Sequence, residues 1–361
     1  MDDATAMRRA LALAQHGWGR VAPNPLVGAV VLQRHEVVGE GWHAEYGEAH
    51  AERMALARAG ELARGGTLVC TLEPCAHTGK QPPCTEAILA AGIARVVFAV
   101  DDPNPLAAGG AARLRAAGLE VVGGVEAEAA RAQLAPFLHA QRGTGRPFVA
   151  LKLAQSLDGR IADATLRSQW LSGPEARAWA QWLRAGYDAI GVGSRTALAD
   201  DPLLTVRGEV TPRVPPMRVV FDRGLALARG SRLVQSVAQA PVLLVGVPDA
   251  DPERARLLGE AGVTVLRAAT LPEALRLLHA EHGIGSLLVE GGGRLAGALL
   301  ADGLVDRLHL VTAPVWLGEQ GIPAFAGHPS YAIADAPRWR VVERRPLGAD
   351  SLLVADRDAA P

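Results

Sequence analysis

His50-Ala51-Glu52, followed by Pro74-Cys75 and then Cys84, is the stretch from which the rest of the chain is read. One imidazole and two thiolates can hold Zn²⁺ and leave a fourth position for water, as catalytic rather than structural zinc requires. Zinc held in this way lowers the pKa of its bound water to about 7, so hydroxide is available near neutrality. Glu52 is not needed as a ligand. A carboxylate beside such a water is the acid–base group that takes up a proton and returns it to the reacting ring and the leaving group. The stretch therefore assigns His50, Cys75 and Cys84 to the metal and Glu52 to catalysis.

A His, two Cys, a non-ligand Glu and a Pro before the first Cys, in this order, form the pattern of zinc enzymes that remove an amino group from an aromatic heterocycle. The neighbouring residues suit it. The apolar, β-branched run 67–72, between Gly65-Gly66 and Glu73-Pro74, reads as a buried strand delivering Cys75. Residues 83–89 read as a helix start, and a thiolate in a first turn gains from the positive helix end. Another helix is expected over 51–63. Eight residues separate Cys75 from Cys84, where the general signature has two. The insert must loop out beside the metal and bring His77, Thr78 and Lys80 to the mouth of the site. His77 is also open to a reading as the fourth ligand of a closed site. Cys70, on the strand before the site, reads as core.

A chain of 361 residues exceeds one ordinary core, so two domains are expected. A formal net charge of −1 without a basic stripe argues against a nucleic-acid platform. Three cysteines, two of them given to metal, leave no disulfide framework and suit a reducing cytoplasm. The acidic start Met1-Asp2-Asp3-Ala4 has no apolar core of a signal peptide, and no apolar run reaches the roughly 18 residues of a membrane span.

Taken in order, a first helix is expected over 4–15, with Met7, Leu11 and Ala14 at helical spacing. Pro23-Asn24-Pro25 is a rigid turn feeding a buried strand that ends at Leu32. Asn24 either shapes that turn or aims its amide at a bound ring. A strand over 37–43 ends at His43, a satisfied polar group or a substrate contact. Strand 95–100, the turn Asp101-Asp102-Pro103-Asn104-Pro105, a helix from Ala111, strand 119–122 and a helix over 126–141 complete a helix–sheet–helix layering. The polar, Gly/Pro-marked stretch Arg142-Gly143-Thr144-Gly145-Arg146-Pro147 is the boundary, giving domains over 1–143 and 147–361.

The second half has its own α/β rhythm. Strands are expected over 148–153, 189–192, 218–221, 242–247, 263–266 and 286–290, with a helix over 174–185 that has Pro in its first turn. The last strand runs into Gly291-Gly292-Gly293-Arg294-Leu295-Ala296-Gly297 and a helix. Such a turn offers N–H groups and a helix dipole to a phosphate, although glycine pairs also serve close packing. It is not the G-x-G-x-x-G fingerprint, so a Rossmann assignment is not made. Trp170 either stacks on a ligand or belongs to the core. Physics alone gives an α/β domain that binds a phosphorylated ligand.

Pro23-Asn24-Pro25-Leu26-Val27-Gly28, His50-Ala51-Glu52, the Thr71-Leu72-Glu73-Pro74-Cys75 segment with its Cys84, and Asp102-Pro103-Asn104-Pro105 resemble the bifunctional riboflavin-biosynthesis deaminase–reductases. The second half is similar to the same family through Leu151-Lys152-Leu153, Ser156-Leu157-Asp158-Gly159-Arg160, Ser168-Gln169-Trp170, Ala199-Asp200-Asp201-Pro202-Leu203-Leu204-Thr205-Val206-Arg207 and Val289-Glu290-Gly291-Gly292. The match spans nearly the whole chain. It implies a cytidine-deaminase-like three-layer α/β/α domain followed by a dihydrofolate-reductase-like α/β domain. It also implies zinc-dependent deamination of 2,5-diamino-6-(5-phosphoribosylamino)pyrimidin-4(3H)-one, then NADPH-dependent reduction of the ribosyl group to give 5-amino-6-(5-phosphoribitylamino)uracil.

Carried over by motif, Ala154, Trp170, Thr196 and Asp200 would contact NADPH, together with Gly292, Gly293, Arg294, Leu295, Ala296, Gly297 and Ala298. Ser168, Arg184, Leu204, Arg207, Glu290 and Lys152 would contact the reductase substrate, the arginine forks matching a ribose 5-phosphate. Asn24, His77, Lys80 and Asn104 would hold the deaminase substrate. The expected partner is this small molecule, with no nucleic acid and no membrane, and the chain is expected to form a homo-oligomer. Where the family carries a Gly–acidic pair before Ser168, this chain has Leu166-Arg167. If that Gly needs φ > 0, Leu166 must relax the turn; Arg167 is a candidate contact to the extra phosphate of NADPH. Two other readings stand against this one. A deaminase of tRNA or free nucleosides conflicts with the balanced charge and the long Cys–Cys loop, and a zinc-stabilised scaffold would have no use for Glu52.

Overall fold

The computed structural model describes residues 1–357. The chain divides into two compact units, Met1–Gly143 and the residues from Thr144 onward.

The first unit runs α1 (Asp3–Ala14), β1 (Gly28–Gln33), β2 (Glu36–Trp42), α2 (Ala51–Ala59), β3 (Thr67–Cys70), α3 (Cys84–Ala90), β4 (Arg95–Phe98), α4 (Gly110–Ala116), β5 (Glu120–Gly123), α5 (Ala127–Gln133) and α6 (Ala135–Gln141). Its sheet has the order β2-β1-β3-β4-β5. β2, β1 and β3 pair antiparallel, while β3, β4 and β5 pair parallel. Successive residues Ala29, Val30 and Val31 are all fully buried. Both faces of the sheet are therefore covered, which is why these strands read as continuous apolar runs in a three-layer α/β/α unit. The helix expected over 51–63 stops early, because Gly60 takes φ +53° and the chain goes on as a 3₁₀ turn. The single helix expected over 126–141 is two: Pro136, in the first turn of α6, has no N–H to continue the ladder of α5.

The second unit runs β6 (Phe148–Gln155), β7 (Arg160–Ala162), α7 (Pro174–Ala185), β8 (Ala189–Gly193), α8 (Ser194–Asp200), β9 (Met217–Phe221), α9 (Arg232–Gln235), β10 (Val242–Gly246), α10 (Pro252–Glu260), β11 (Thr264–Arg267), α11 (Leu271–His282), β12 (Ser286–Glu290), α12 (Gly293–Ala301), β13 (Arg307–Thr312), β14 (Ile322–Pro323), β15 (Trp339–Leu347) and β16 (Asp350–Arg357). Nine strands form one sheet, β11-β10-β9-β8-β12-β6-β13-β16-β15. It is parallel from β11 to β13 and antiparallel at the β13-β16-β15 edge. One core lies on the face of Val149, Leu151, Val219 and Leu243, the other on the face of Ile190, Val192, Val220 and Leu244. This is the dihydrofolate-reductase-like half. Among the described residues no helix is long and apolar enough to cross a membrane.

Candidate active sites

In the first unit the candidate site forms where loops leaving the C-terminal ends of β3 and β4 meet the starts of α2 and α3. His50 is the N-cap of α2, Glu52 lies in its first turn, and Cys84 is the first residue of α3. Cys75 arrives on the loop after β3. The His50 Nδ1 atom lies 3.3 Å from Cys84 Sγ and 3.6 Å from Cys75 Sγ. All three donor atoms fall within 4.8 Å of one another. Ligands at about 2.0–2.3 Å from a tetrahedral zinc stand about 3.5 Å apart, so this donor set fits zinc in spacing and in softness. The alternative in which His77 closes the site is not assembled, since His77 is not part of this metal-capable group.

The electrostatics suit a metal that needs thiolates. Cys75 is lowered to about 4, first by a hydrogen bond with the Cys84 side chain and then by His50 and the Cys84 backbone N–H. With Cys75 ionised, Cys84 is pushed up by that neighbour and by burial, and the second thiolate waits for a cation to offset it. Glu52 is only 4% exposed, and burial raises its carboxyl above the usual range, with His50 pulling the other way.

A cavity of about 230 Å³ opens beside these groups, and Asn24, His77, Lys80 and Asn104 all line it. Thr78 lies outside its lining. His77 Nδ1 is buried without a partner among the described residues. The Lys80 ammonium sits 3.9 Å from the centre of the Tyr46 ring, and Gln81 donates to the Gly47 carbonyl at 3.1 Å, so the inserted loop is tied to residues 46–47. His43 is the satisfied polar group of the two readings: its Nδ1 meets the Ala49 carbonyl at 3.1 Å and its Nε2 the Asn24 amide at 3.1 Å. Burial lowers the His43 pKa, keeping the ring neutral. A neutral ring that donates at Nδ1 must accept at Nε2, which leaves the Asn24 carbonyl oxygen free of that bond. Asn104 folds its own carbonyl back onto the Leu106 N–H at 3.1 Å.

In the second unit Glu290 and Gly292 lie at the C-terminal end of β12, and Thr196 in the first turn after β8, at the expected ligand crevice of an open α/β sheet. Lys152 lies inside β6, opposite Glu290 on β12. Burial lowers the Lys152 pKa. Glu290 is pushed up by burial but brought below its usual value by the Arg184 charge, its hydrogen bonds and Lys152. The Arg184 fork, assigned from the sequence to a phosphate, is occupied by Glu290: its Nε and Nη2 donate to the two carboxylate oxygens at 2.8 and 2.7 Å. Arg207 donates its backbone N–H to Gln181 at 2.9 Å. Ser168 reaches Asp200 at 3.4 Å. Ala154 lies on β6 beyond Lys152.

The cofactor expectations divide. α8 and α12 follow the neighbouring parallel strands β8 and β12, and neither helix has a side-chain cap at its N-terminus. A Cβ on Gly292 would stand 3.0 Å from Thr196 Oγ1, so the two turns are in contact. Two uncapped helix starts side by side fit a pyrophosphate. Gly293, Ala296 and Gly297, in contrast, are buried; a Cβ on Gly293 would overlap the Pro323 carbonyl and one on Gly297 the Ala326 carbonyl. These glycines allow helix α12 to pack closely. Arg294 is exposed, with Leu295 and Ala298 half-buried. Trp170 is not core: it is 72% exposed, with the Arg177 guanidinium 5.0 Å from its ring. The turn before it has not relaxed. Leu166 holds φ +67°, while Asp163 Oδ1 gathers the N–H groups of Thr165 and Arg167. Arg167 is exposed.

Sequence reasoning missed Glu73, whose buried carboxylate accepts the Asp102 N–H at 3.1 Å and the Ala111 N–H at 2.8 Å. It also missed Tyr46 beneath Lys80 and the buried Arg218. The one available signal was Glu73 standing directly before Pro74-Cys75.

The sequence pattern of the RibD C-terminal domain matches residues 147–353, and that of the cytidine and deoxycytidylate deaminase zinc-binding region matches residues 1–100. The chain is 40% identical over 355 residues to the riboflavin biosynthesis protein RibD of Bacillus amyloliquefaciens, covering 97% of this chain and 95% of that protein. It is 41% identical over 374 residues to that of Escherichia coli, with 98% and 99% covered. Among solved structures, RibD of Acinetobacter baumannii superposes with a TM-score of 0.81 at 36% identity, over 99% of each chain. A diaminohydroxyphosphoribosylaminopyrimidine deaminase/5-amino-6-(5-phosphoribosylamino)uracil reductase from Thermotoga maritima gives 0.82 at 35% identity, over 98% of each.

Proposed function

This chain belongs to the RibD family of riboflavin biosynthesis, a zinc-binding deaminase domain joined to a reductase domain, and on that premise we propose that it performs two consecutive steps on one phosphoribosylaminopyrimidine. The first unit removes the ring amino group of 2,5-diamino-6-(5-phosphoribosylamino)pyrimidin-4(3H)-one by hydrolysis. The second reduces the ribosyl group of the product to ribityl with NADPH. The observation that carries this reading is the meeting of the His50, Cys75 and Cys84 donor atoms beside buried Glu52, with His50, Cys75 and Glu52 lining one cavity.

His50, Cys75 and Cys84 would hold zinc, whose chemistry there would be to activate a water. Glu52 would pass one proton from the attacking water to the ring nitrogen and then carry the remaining hydroxyl proton to the amino group, which leaves as ammonia; its burial suits a group that must hold a proton between transfers. Asn24 offers its carbonyl oxygen to an N–H of the ring, with His43 holding its amide in that orientation. His77 Nδ1 meets a polar group of the substrate, and Lys80 meets the phosphate as a point charge. The Asn104 amide nitrogen, on the far side of its own turn, closes on the ring.

NADPH, when bound, supplies a hydride to the ribose C1. Thr196 and the starts of α8 and α12 would hold the cofactor's pyrophosphate, and Asp200, Ala154 and Trp170 would make its other contacts. Lys152 and the Arg184–Glu290 pair form a polar floor under the sugar, and Ser168, Leu204 and Arg207 receive its phosphate end. The substrate is the free small molecule rather than nucleic acid, and the chain works in the cytoplasm as a homo-oligomer.

The test is an assay that follows ammonia release and NADPH oxidation separately, on parent and Glu52→Gln. The variant should keep its zinc and lose at least about a hundredfold in deamination. It should still oxidise NADPH when given the deaminated compound. Deamination by Glu52→Gln at the parental rate, or a zinc-loaded parent that releases no ammonia, would sink the reading.

A further inference from the structure

The largest fully buried side chain of the second unit is a charged one. Arg218, on β9, has no exposed surface and no acidic neighbour that shifts it. Burial lowers its pKa to about 10, so it remains a cation at neutral pH. A buried guanidinium without a counter-ion is costly; here the four Nη protons end on neutral oxygens, while the buried Nε has no partner among the described residues. Nη1 donates to the Leu203 carbonyl at 3.1 Å and to Ser236 Oγ at 2.7 Å. Nη2 donates to the Ser236 carbonyl at 2.8 Å and to the Ala240 carbonyl.

The Leu203 carbonyl belongs to the loop that carries Leu204 and Arg207. Two residues on, the Thr205 carbonyl accepts from Arg184 Nη1 at 3.2 Å. Between these two arginine contacts Leu204 holds φ +52°, a conformation that side chains with a Cβ avoid. Its side chain is buried in the core with Ile190, Val192 and Val220, so it meets a ligand through its backbone. The backbone N–H of Leu204 has no hydrogen-bond partner among the described residues. Such an outlier persists only where its surroundings over-determine it, and the carbonyls on either side are held by guanidinium groups.

We propose that Arg218 is a positioning residue of the reductase: its hold on the Leu203 carbonyl, opposite the hold of Arg184 on Thr205, fixes Leu204 in its left-handed conformation and sets the loop that meets the sugar phosphate. This rests on the reading above that Leu204 and Arg207 belong to the reductase substrate site. Arg218 itself touches no ligand. It acts through the loop, and its loss is felt in the affinity for one substrate and not the other.

The experiment is steady-state reductase kinetics on the full chain, with the deaminated phosphoribosylaminopyrimidine and NADPH varied separately, for Arg218→Lys, Arg218→Met and Arg207→Ala, together with thermal melting. Arg218→Lys, which keeps the charge but cannot reach all four oxygens, raises KM for the sugar phosphate several-fold. Arg218→Met raises it by about tenfold or more. KM for NADPH stays within about twofold of the parent in both, since the contacts at issue lie on the substrate loop. If Arg218→Met does not fold, the lysine variant decides. An unchanged substrate KM with a lowered melting temperature shows that Arg218 only fastens the 236–240 turn, and overturns the proposal; an equal rise in both KM values also overturns it. Arg207→Ala separates the two levels. A raised substrate KM there, beside an unchanged one in Arg218→Lys, overturns this proposal alone, whereas an unchanged KM in both overturns the site reading as well.

Discussion

Leu166 is a residue out of its ordinary conformation, at φ +67° with 64% of its surface exposed. The turn is held by Asp163, which accepts from Thr165 N–H at 2.8 Å and Arg167 N–H at 3.0 Å and whose carbonyl accepts from Leu166 N–H. The side chain packs on little, so nothing in the core offsets its backbone cost. Leu166→Gly should therefore stabilise the second unit by up to about 1 kcal/mol, read as a shift in urea midpoint at unchanged slope. A lower midpoint would mean that chain entropy outweighs the relief. At the same scale, Arg184 shows how a side chain of the right type takes a different first partner. Its fork suits a phosphate, but Glu290 lies 2.7–2.8 Å away and takes it.

At the scale of elements, Glu73 links three pieces that are distant in sequence. It leads into the Cys75 loop, accepts the Asp102 N–H of the turn that carries Asn104, and accepts the Ala111 N–H at the start of α4. Gly110 lies against the same place, because a Cβ there would overlap the Pro74 carbonyl. A glutamine at 73 can accept from only one of the two N–H groups and turns a donor toward the other. Glu73→Gln should cost the first unit about 1–3 kcal/mol in denaturant unfolding and raise the deaminase KM. Zinc stoichiometry by metal analysis and the reductase rate should hold. Loss of zinc would instead place Glu73 in support of Cys75 rather than of the Asn104 turn.

At the scale of the whole molecule, each unit has its own sheet and core and its own candidate site. The metal-capable group lies entirely in the first. Removing zinc with a chelator should abolish ammonia release and leave NADPH oxidation on the deaminated compound intact. It should also lower the melting temperature of the first unit, since a ligand that binds only the folded state stabilises it by mass action. Loss of both activities on chelation would show that the reductase depends on the metal or on the folding of its neighbour. Restoring zinc should return deamination in proportion to metal bound.

The sequence by itself pointed to His50, Cys75 and Cys84 as metal donors, which the structure brings together, to Glu52 beside them, and to the α/β class of both halves. Donor chemistry is a property of residue type, and strands buried on both faces must be apolar along their whole length. It left Asn24, His43 and His77 with two readings each, because a polar side chain is assigned by what lies opposite it in space. It was silent on β13, β15 and β16. There β15 is an edge strand of mostly exposed, arginine-rich residues, and its pattern is set by solvent rather than by a core. Only the tertiary structure decided that Glu290 takes the Arg184 fork across 106 residues, that Glu73 joins the loops of two strands, and that Arg218 braces Leu203. These are contacts between segments that no local spacing relates. They form because a buried charge or N–H left unpaired is costly, so most find a partner wherever the packed chain supplies one.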